Sequence, residues 1–235
     1  MSLVLVTGAS TGLGLATVDA LAAAGHDVVL HARSEDRLED TSVLDRVTAT
    51  EYADLADVAA TVDLAHRLDA LGPFDAVIHN AGTMDRSLAV PVNVVAPYVL
   101  TAAMQPPGRS IVLSSGMHLS GGTDLVRGGG YSDSKLWVTA LVLALADRRP
   151  ATLWHAVDPG WVPTRMGGSG APDDLVEGHR TQAWLATAAE SEIDPRTGGY
   201  WHHHASREPH RDARDEAFQE RVLDHLAGLT GLTIE

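Results

Sequence analysis

The first fourteen residues constrain this chain most. Leu3-Val4-Leu5-Val6-Thr7 is an apolar run of strand length, and Gly8-Ala9-Ser10-Thr11-Gly12-Leu13-Gly14 follows it at once. A buried strand that passes through a glycine-rich turn into a helix is the start of a βα unit. Glycine permits the tight turn and lets another group approach the backbone closely. The helix N-terminus offers unpaired N–H groups and positive potential to an anion. Gly8, Ser10, Thr11, Gly12, Leu13 and Gly14 are therefore candidate phosphate contacts. Their spacing is not G-x-G-x-x-G, so the turn alone is weak evidence.

The rest of the chain repeats the unit. Strands are expected at Asp27–Ala32, Val47–Thr50, Asp75–His79, Ser110–Ser114 and Thr152–Val157. Helices are expected at Gly12–Ala24, Asp54–Leu71, Asn93–Met104, Tyr131–Arg148 and, at the end, Arg211–Leu229. This alternation predicts an α/β fold, a three-layer sandwich around a parallel sheet with right-handed crossovers. Ligands then bind at the carboxyl ends of the strands. Pro163–Gly178, rich in glycine, follows such an end and reads as a lid.

At 235 residues, 1–235 suits one domain. The chain has no cysteine, which excludes disulfides and thiolate chemistry. A net charge of −14 argues against nucleic acid as a partner. No apolar run is long enough for a bilayer, and no basic segment leads an apolar one, so no membrane partner and a cytoplasmic setting are expected. His202-His203-His204 would place only His202 and His204 on one face of a strand. An exposed strand end explains them better than a metal, and no metal is expected.

A second group of residues can move a proton. Tyr131 and Lys135 lie four apart on one helical face. A free phenol has a pKa of about 10, and a nearby ammonium lowers it. Ser115 ends the strand Ile111-Val112-Leu113-Ser114-Ser115, where its hydroxyl can bond a substrate oxygen. Asn93 opens a helix and equally suits a cap. After the second strand, where an acid would select NAD, the chain has His31-Ala32-Arg33-Ser34. Arg33 can pair with a 2′-phosphate, and Ser34 can add a bond.

Thr7–Gly14 (TGxxxGxG), Asn80-Ala81-Gly82, Tyr131–Lys135 (YxxxK) and Asp158-Pro159-Gly160-Trp161-Val162-Pro163-Thr164 occur in one order. In this the chain resembles the short-chain dehydrogenase/reductase family, from residue 3 to about 165. Thr197-Gly198-Gly199-Tyr200-Trp201 and Arg207-Glu208-Pro209-His210 are similar, more loosely, to members described as daunorubicin C-13 ketoreductase-like. The resemblance implies a Rossmann-like sheet of about seven strands and hydride transfer between NADP(H), preferred over NAD(H), and a carbonyl or alcohol. It implies that Tyr131 exchanges the proton and Ser115 holds the oxygen. Lys135 tunes Tyr131 and binds the nicotinamide ribose, and Asn93 holds a water in the proton relay. Asp54 and Leu55 match the pair beside the adenine, and Pro159, Gly160, Val162 and Thr164 match the segment against the nicotinamide. Asn80 in such proteins more often steadies the sheet, while Ala81 and Gly82 permit close approach.

Two departures stand out. Only ten residues separate Gly82 from Asn93, where the family usually places a further helix, and Asp158 replaces the more usual Asn or His. The short segment keeps a second reading open, a silent NADP(H)-binding sensor. A sugar-nucleotide epimerase is the third, for which the tail leaves little room. Val138, Ala140, Leu141, Val142, Leu143, Ala144 and Leu145 make the Tyr131 helix apolar nearly all round, as do Val94, Val95, Val99 and Leu100 for the Asn93 helix. Faces left over after covering the sheet need a partner. A twofold pairing between chains, giving a homodimer or homotetramer, is expected to supply it.

Overall fold

The computed structural model describes residues 1–234. Eight strands share one sheet: β1 (Leu3–Val6), β2 (Asp27–Ala32), β3 (Ala49–Tyr52), β4 (Ala76–His79), β5 (Arg109–Leu113), β6 (Leu153–Asp158), β7 (Gly199–His202) and β8 (Ala205–Arg207). Their order is β3-β2-β1-β4-β5-β6-β7-β8. The first seven are parallel, and β8 returns antiparallel along β7. The sheet thus has one strand beyond the expected seven. The order reverses between β1 and β4, which opens a crevice above their carboxyl ends.

Strand periodicity sends alternate residues to opposite faces. Val4, Val6, Leu30 and Ile78 pack with α1 (Gly12–Ala23) and α5 (Leu175–Thr187). Leu5, Val29 and Val77 meet α2 (Val58–Asp69) and α3 (Ala96–Ala103) on the other side. That side also carries α4 (Tyr131–Arg148), at the bounds read from sequence. Helix α2 starts later than expected because Asp57 caps it, its carboxylate accepting from the Ala60 N–H at 3.1 Å. Helix α5, which begins inside the expected lid, and strand β8 were not foreseen, while β7 supplies the strand end expected at His202.

The three histidines do not lie along one strand. β7 ends at His202, and His203 and His204 form a two-residue turn with φ of 47° and 61°. Positive φ at both turn positions matches the twist of a tight hairpin. The alternating-face geometry expected of them does not arise.

Every residue of α4 from Ser134 to Ala146 is buried. Its far side is covered by the chain's own tail, through Phe218, Val222, Leu223 and Leu226 of α6 (Glu216–Thr230). The Tyr98 hydroxyl donates to the Leu232 carbonyl at 2.8 Å and ties the tail to the Asn93 helix. The expected twofold pairing rested on uncovered faces of these helices. Those faces are occupied within the chain, so that ground for a dimer is removed. Deleting residues 211–235 should yield aggregated protein, and a soluble, folded truncation would contradict this packing.

Burial holds His31, His79 and His155 down to about 4. In the unfolded chain they titrate near 6.5. Between these values the unfolded state binds more protons, so stability is full above pH 6.5 and is lost as pH falls toward 4. Thermal melts across this window should show a steep fall in Tm, and a flat profile would contradict the burial.

Candidate active site

A cavity of about 970 Å³ lies above the β1/β4 reversal. Its first wall is the glycine turn. Gly8 has φ +63°, and a Cβ there would stand 2.6 Å from the Ala81 Cα. The turn is held from both neighbouring strands. Asn80 Nδ2 donates to the Thr7 and Gly8 carbonyls at 2.9 and 3.1 Å. The Gly8 N–H donates to His31 Nδ1 at 3.2 Å, which leaves His31 Nε2 to donate to the Ala53 carbonyl at 3.1 Å. His31 has no foreseen role, and its only signal is a polar residue inside an apolar strand.

Helix α1 begins at this turn without a side-chain cap from Thr11 and with no acid in its first turn. Asp57, Asp174 and Asp215 cap α2, α5 and α6. The free N–H groups of α1 face the cavity wall formed by Ser10, Thr11, Gly12, Leu13 and Gly14. Such an end suits a phosphate. Thr164, from the loop after β6, comes within 3.1 Å of where a Cβ on Gly12 would be. The residues present therefore fit a dinucleotide pyrophosphate.

Arg33 and Asp54 line the same end, with Arg33 Nε 4.0 Å from Asp54 Oδ1. Leu55 is buried beside them, and Ala81 and Gly82 continue the wall. Ser34 precedes the short turn Glu35–Arg37 and does not line the cavity, so its expected bond to a phosphate is not prepared. Arg37, four residues after Arg33, does line it and was missed.

The other end holds the proton chemistry. Ser115 Oγ accepts from the Met117 N–H at 3.2 Å, which leaves its O–H free, and Tyr131 lines the same end of the cavity. Ser114 turns away and shares a hydrogen bond with Thr139 at 2.7 Å in the core. Lys135 is buried, and its Nζ donates to the Leu113 carbonyl at 2.6 Å, 5.6 Å from the Tyr131 ring centroid. Burial pushes the Tyr131 phenol up, Ser115 opposes this, and Asp158 adds to it. The lowering expected from the ammonium is not what this environment produces. Burial also brings Lys135 down to about 8 against the pull of Asp158.

Asn93 sits in a π-helical turn, Pro91–Val95, that leads into α3. Pro97 has no N–H to return to the Asn93 carbonyl, so α-helical bonding breaks there. The side chain is fully engaged. Oδ1 accepts from the Thr83 N–H at 2.8 Å, and Nδ2 donates to the Thr83 carbonyl and to Ser134 Oγ at 3.0 and 2.9 Å. It is not a cap, and any water it holds must use its carbonyl. The short Gly82–Asn93 segment therefore closes directly on the helix, and Thr83 and Met84 form cavity wall where an extra helix would stand. Pro159, Gly160, Val162 and Thr164 complete the enclosure.

Sheets wound this way bind dinucleotides where their strand order reverses. With an anion cradle at one end of the crevice and a phenol–amine pair at the other, the chain is a Rossmann-type oxidoreductase. The model of the short chain dehydrogenase family matches residues 2–174. The chain belongs to that family. It is 34% identical over 259 aligned residues to the short-chain dehydrogenase chyC of Penicillium rubens, covering 100% of this chain and 99% of the fungal one. It is 30% identical to the Streptomyces protein DnrU, provisionally named a daunorubicin C-13 ketoreductase, over 84% of this chain and 82% of that protein. The solved structure of NADPH-bound carbonyl reductase from chicken fatty liver superposes with a TM-score of 0.73 at 20% identity, over 89% of this chain and 99% of that one.

Gly8→Ala places a Cβ in the left-handed region against Ala81. It should cost about 2 kcal/mol or more in denaturant unfolding, and an unchanged midpoint would show that the turn can shift.

Proposed function

We propose that the chain, acting as one domain over residues 1–235, is an NADP(H)-dependent carbonyl reductase that works on ketones. The observation that carries this reading is that Ser115, Tyr131 and Lys135 line the same cavity as the glycine turn, with Lys135 Nζ 5.6 Å from the Tyr131 ring centroid. A bound nicotinamide supplies hydride to the carbonyl carbon. Ser115 donates to the substrate oxygen, and Tyr131 delivers its proton. Two of the three Lys135 N–H groups remain beyond the bond to Leu113, enough to hold ribose hydroxyls. The Asn93 carbonyl is the group that holds the relay water. At the adenine end Arg33, aided by Arg37, supports the 2′-phosphate and thus NADPH over NADH. The mouth exposes Met84, Met117, Trp161 and Met166, which suits a bulky apolar substrate. The name of DnrU points to the same class of reaction. No helix is long and apolar enough to cross a membrane among the described residues.

A silent NADP(H) sensor needs the cradle and Arg33 but not a Ser115–Tyr131 pair. The direct closure of Thr83 onto Asn93 is the feature that favours it. NADPH oxidation against aromatic, aliphatic and polycyclic ketones separates the two. Tyr131→Phe should lower kcat by about 10²-fold or more while NADPH still binds. Ser115→Ala should cost about 10²-fold, and Ser114→Ala much less because that hydroxyl faces Thr139. If calorimetry shows NADPH bound and no ketone, aldehyde or alcohol turns over above the Tyr131→Phe blank, the sensor reading replaces the enzyme.

Cofactor choice has its own test. Arg33→Ala should weaken NADPH binding roughly tenfold and leave NADH nearly unchanged. Equal losses for both would place the arginine away from the 2′-phosphate.

A further inference from the structure

Ser115 stands at the head of the short turn Gly116–Ser120, in which Met117 and Leu119 are exposed. His118 is the one buried residue of that turn, at 0% exposure. Its ring packs against the Tyr200 ring of β7, with centroids 4.5 Å apart. Two hydrogen bonds settle its tautomer. The His210 N–H, in the tail after β8, donates to Nε2 at 2.9 Å. A backbone N–H can only donate, so Nε2 is bare and Nδ1 carries the proton. Nδ1 then donates to the Ser115 carbonyl at 2.8 Å. Burial lowers the His118 pKa, which favours the neutral ring that this pattern requires.

The other bonds of Ser115 close the turn on itself. Its carbonyl also accepts from the His118 N–H at 3.0 Å, and its Oγ accepts from the Met117 N–H at 3.2 Å. The ring bond instead ties the turn to a separate part of the molecule, the segment around His210. Neither His118 nor His210 lines the cavity.

We propose that His118 is a positioning residue for Ser115. Held in one tautomer by the His210 N–H, its ring pins the Ser115 carbonyl and so sets the direction of the Ser115 hydroxyl. The tail is thereby part of the reacting end without touching substrate or cofactor. This rests on the reading of Ser115 as the group that holds the substrate oxygen.

Two substitutions divide the bonds of the ring. His118→Asn puts an amide N–H near the place of Nδ1 and keeps the bond to Ser115, but loses the acceptor for His210. His118→Gln keeps the acceptor and loses the donor. Since a displacement of about 1 Å at a reacting group can cost about 10²-fold, His118→Gln should lower kcat roughly tenfold or more, and His118→Asn less than about threefold. NADPH affinity should be unchanged in both. In a Ser115→Ala background His118→Gln should add little, because the residue it acts through is gone. Equal losses in the two variants, or an undiminished loss on Ser115→Ala, would overturn the proposal. A role in packing alone predicts that kcat falls with Tm in both.

A second pair of variants leaves His118 whole. His210 has φ of −53°, which proline adopts, so His210→Pro removes the N–H with little change in the path of the chain. His210→Ala keeps the N–H and loses only the ring, whose Nδ1 accepts from the Asp212 N–H. His210→Pro should turn over about tenfold more slowly than His210→Ala. Nitrogen-15 spectra of the His118 ring, assigned with His118→Asn, need no turnover. The parent and His210→Ala should show Nδ1 protonated, and His210→Pro should show a mixture of tautomers. A parent ring protonated at Nε2, or equal rates in His210→Pro and His210→Ala, would sink the proposal. A parent with no turnover would instead overturn the reading of Ser115, while the ring spectra still decide whether the His210 N–H holds His118 against the Ser115 carbonyl.

Discussion

The nucleotide end of this molecule depends on one backbone turn being held from two sides. Asn80 on the β4 side grips the Thr7 and Gly8 carbonyls, and His31 on β2 accepts the Gly8 N–H. These bonds use up the polar groups that a left-handed turn would otherwise leave unsatisfied at the top of a buried sheet. They also aim the first turn of α1 at the crevice. With its side-chain cap missing, that helix end has unpaired donors only where an anion can reach them. Lose the turn, and neither the cradle nor the spacing between β1 and β4 survives.

The reacting end is built differently. Its parts hang from α4, a helix buried on every side through its middle. That burial explains why a lysine and a tyrosine, unremarkable on a surface helix, are shifted in opposite directions here. Desolvation disfavours the charged form of each, which raises the phenol and lowers the amine. Asp158, at the end of β6, adds to the raising of Tyr131 and opposes the lowering of Lys135.

Much of this was legible in the sequence, for identifiable reasons. The parallel strands β1, β2, β4, β5 and β6 are continuous apolar runs, and α4 is long and starts at a motif, so their positions follow from pattern. Ser115 was separable from Ser114 because motif position distinguishes neighbours that composition does not. What escaped was set by tertiary contact. β8 and the bounds of β7 were not legible, since both strands are short, with glycine, tryptophan and histidine in place of aliphatic runs. Helix α5 starts within a segment that reads as loop until its Asp174 cap is seen. Arg37, on which no expectation was placed, lines the cavity and Ser34 does not, since the short turn Glu35–Arg37 begins directly after Ser34. The cover of α4 was not legible because it lies far along the sequence, in α6.

That last arrangement has a consequence for how the protein is made. The helix bearing Tyr131 and Lys135 is synthesised well before the segment that covers it, since α4 ends at Arg148 and α6 begins only at Glu216. Until α6 emerges, the outer face of α4 has no cover of its own. The growing chain therefore presents the uncovered face of its longest helix at the stage when it is least able to bury it, and exposed apolar surface at that stage favours aggregation.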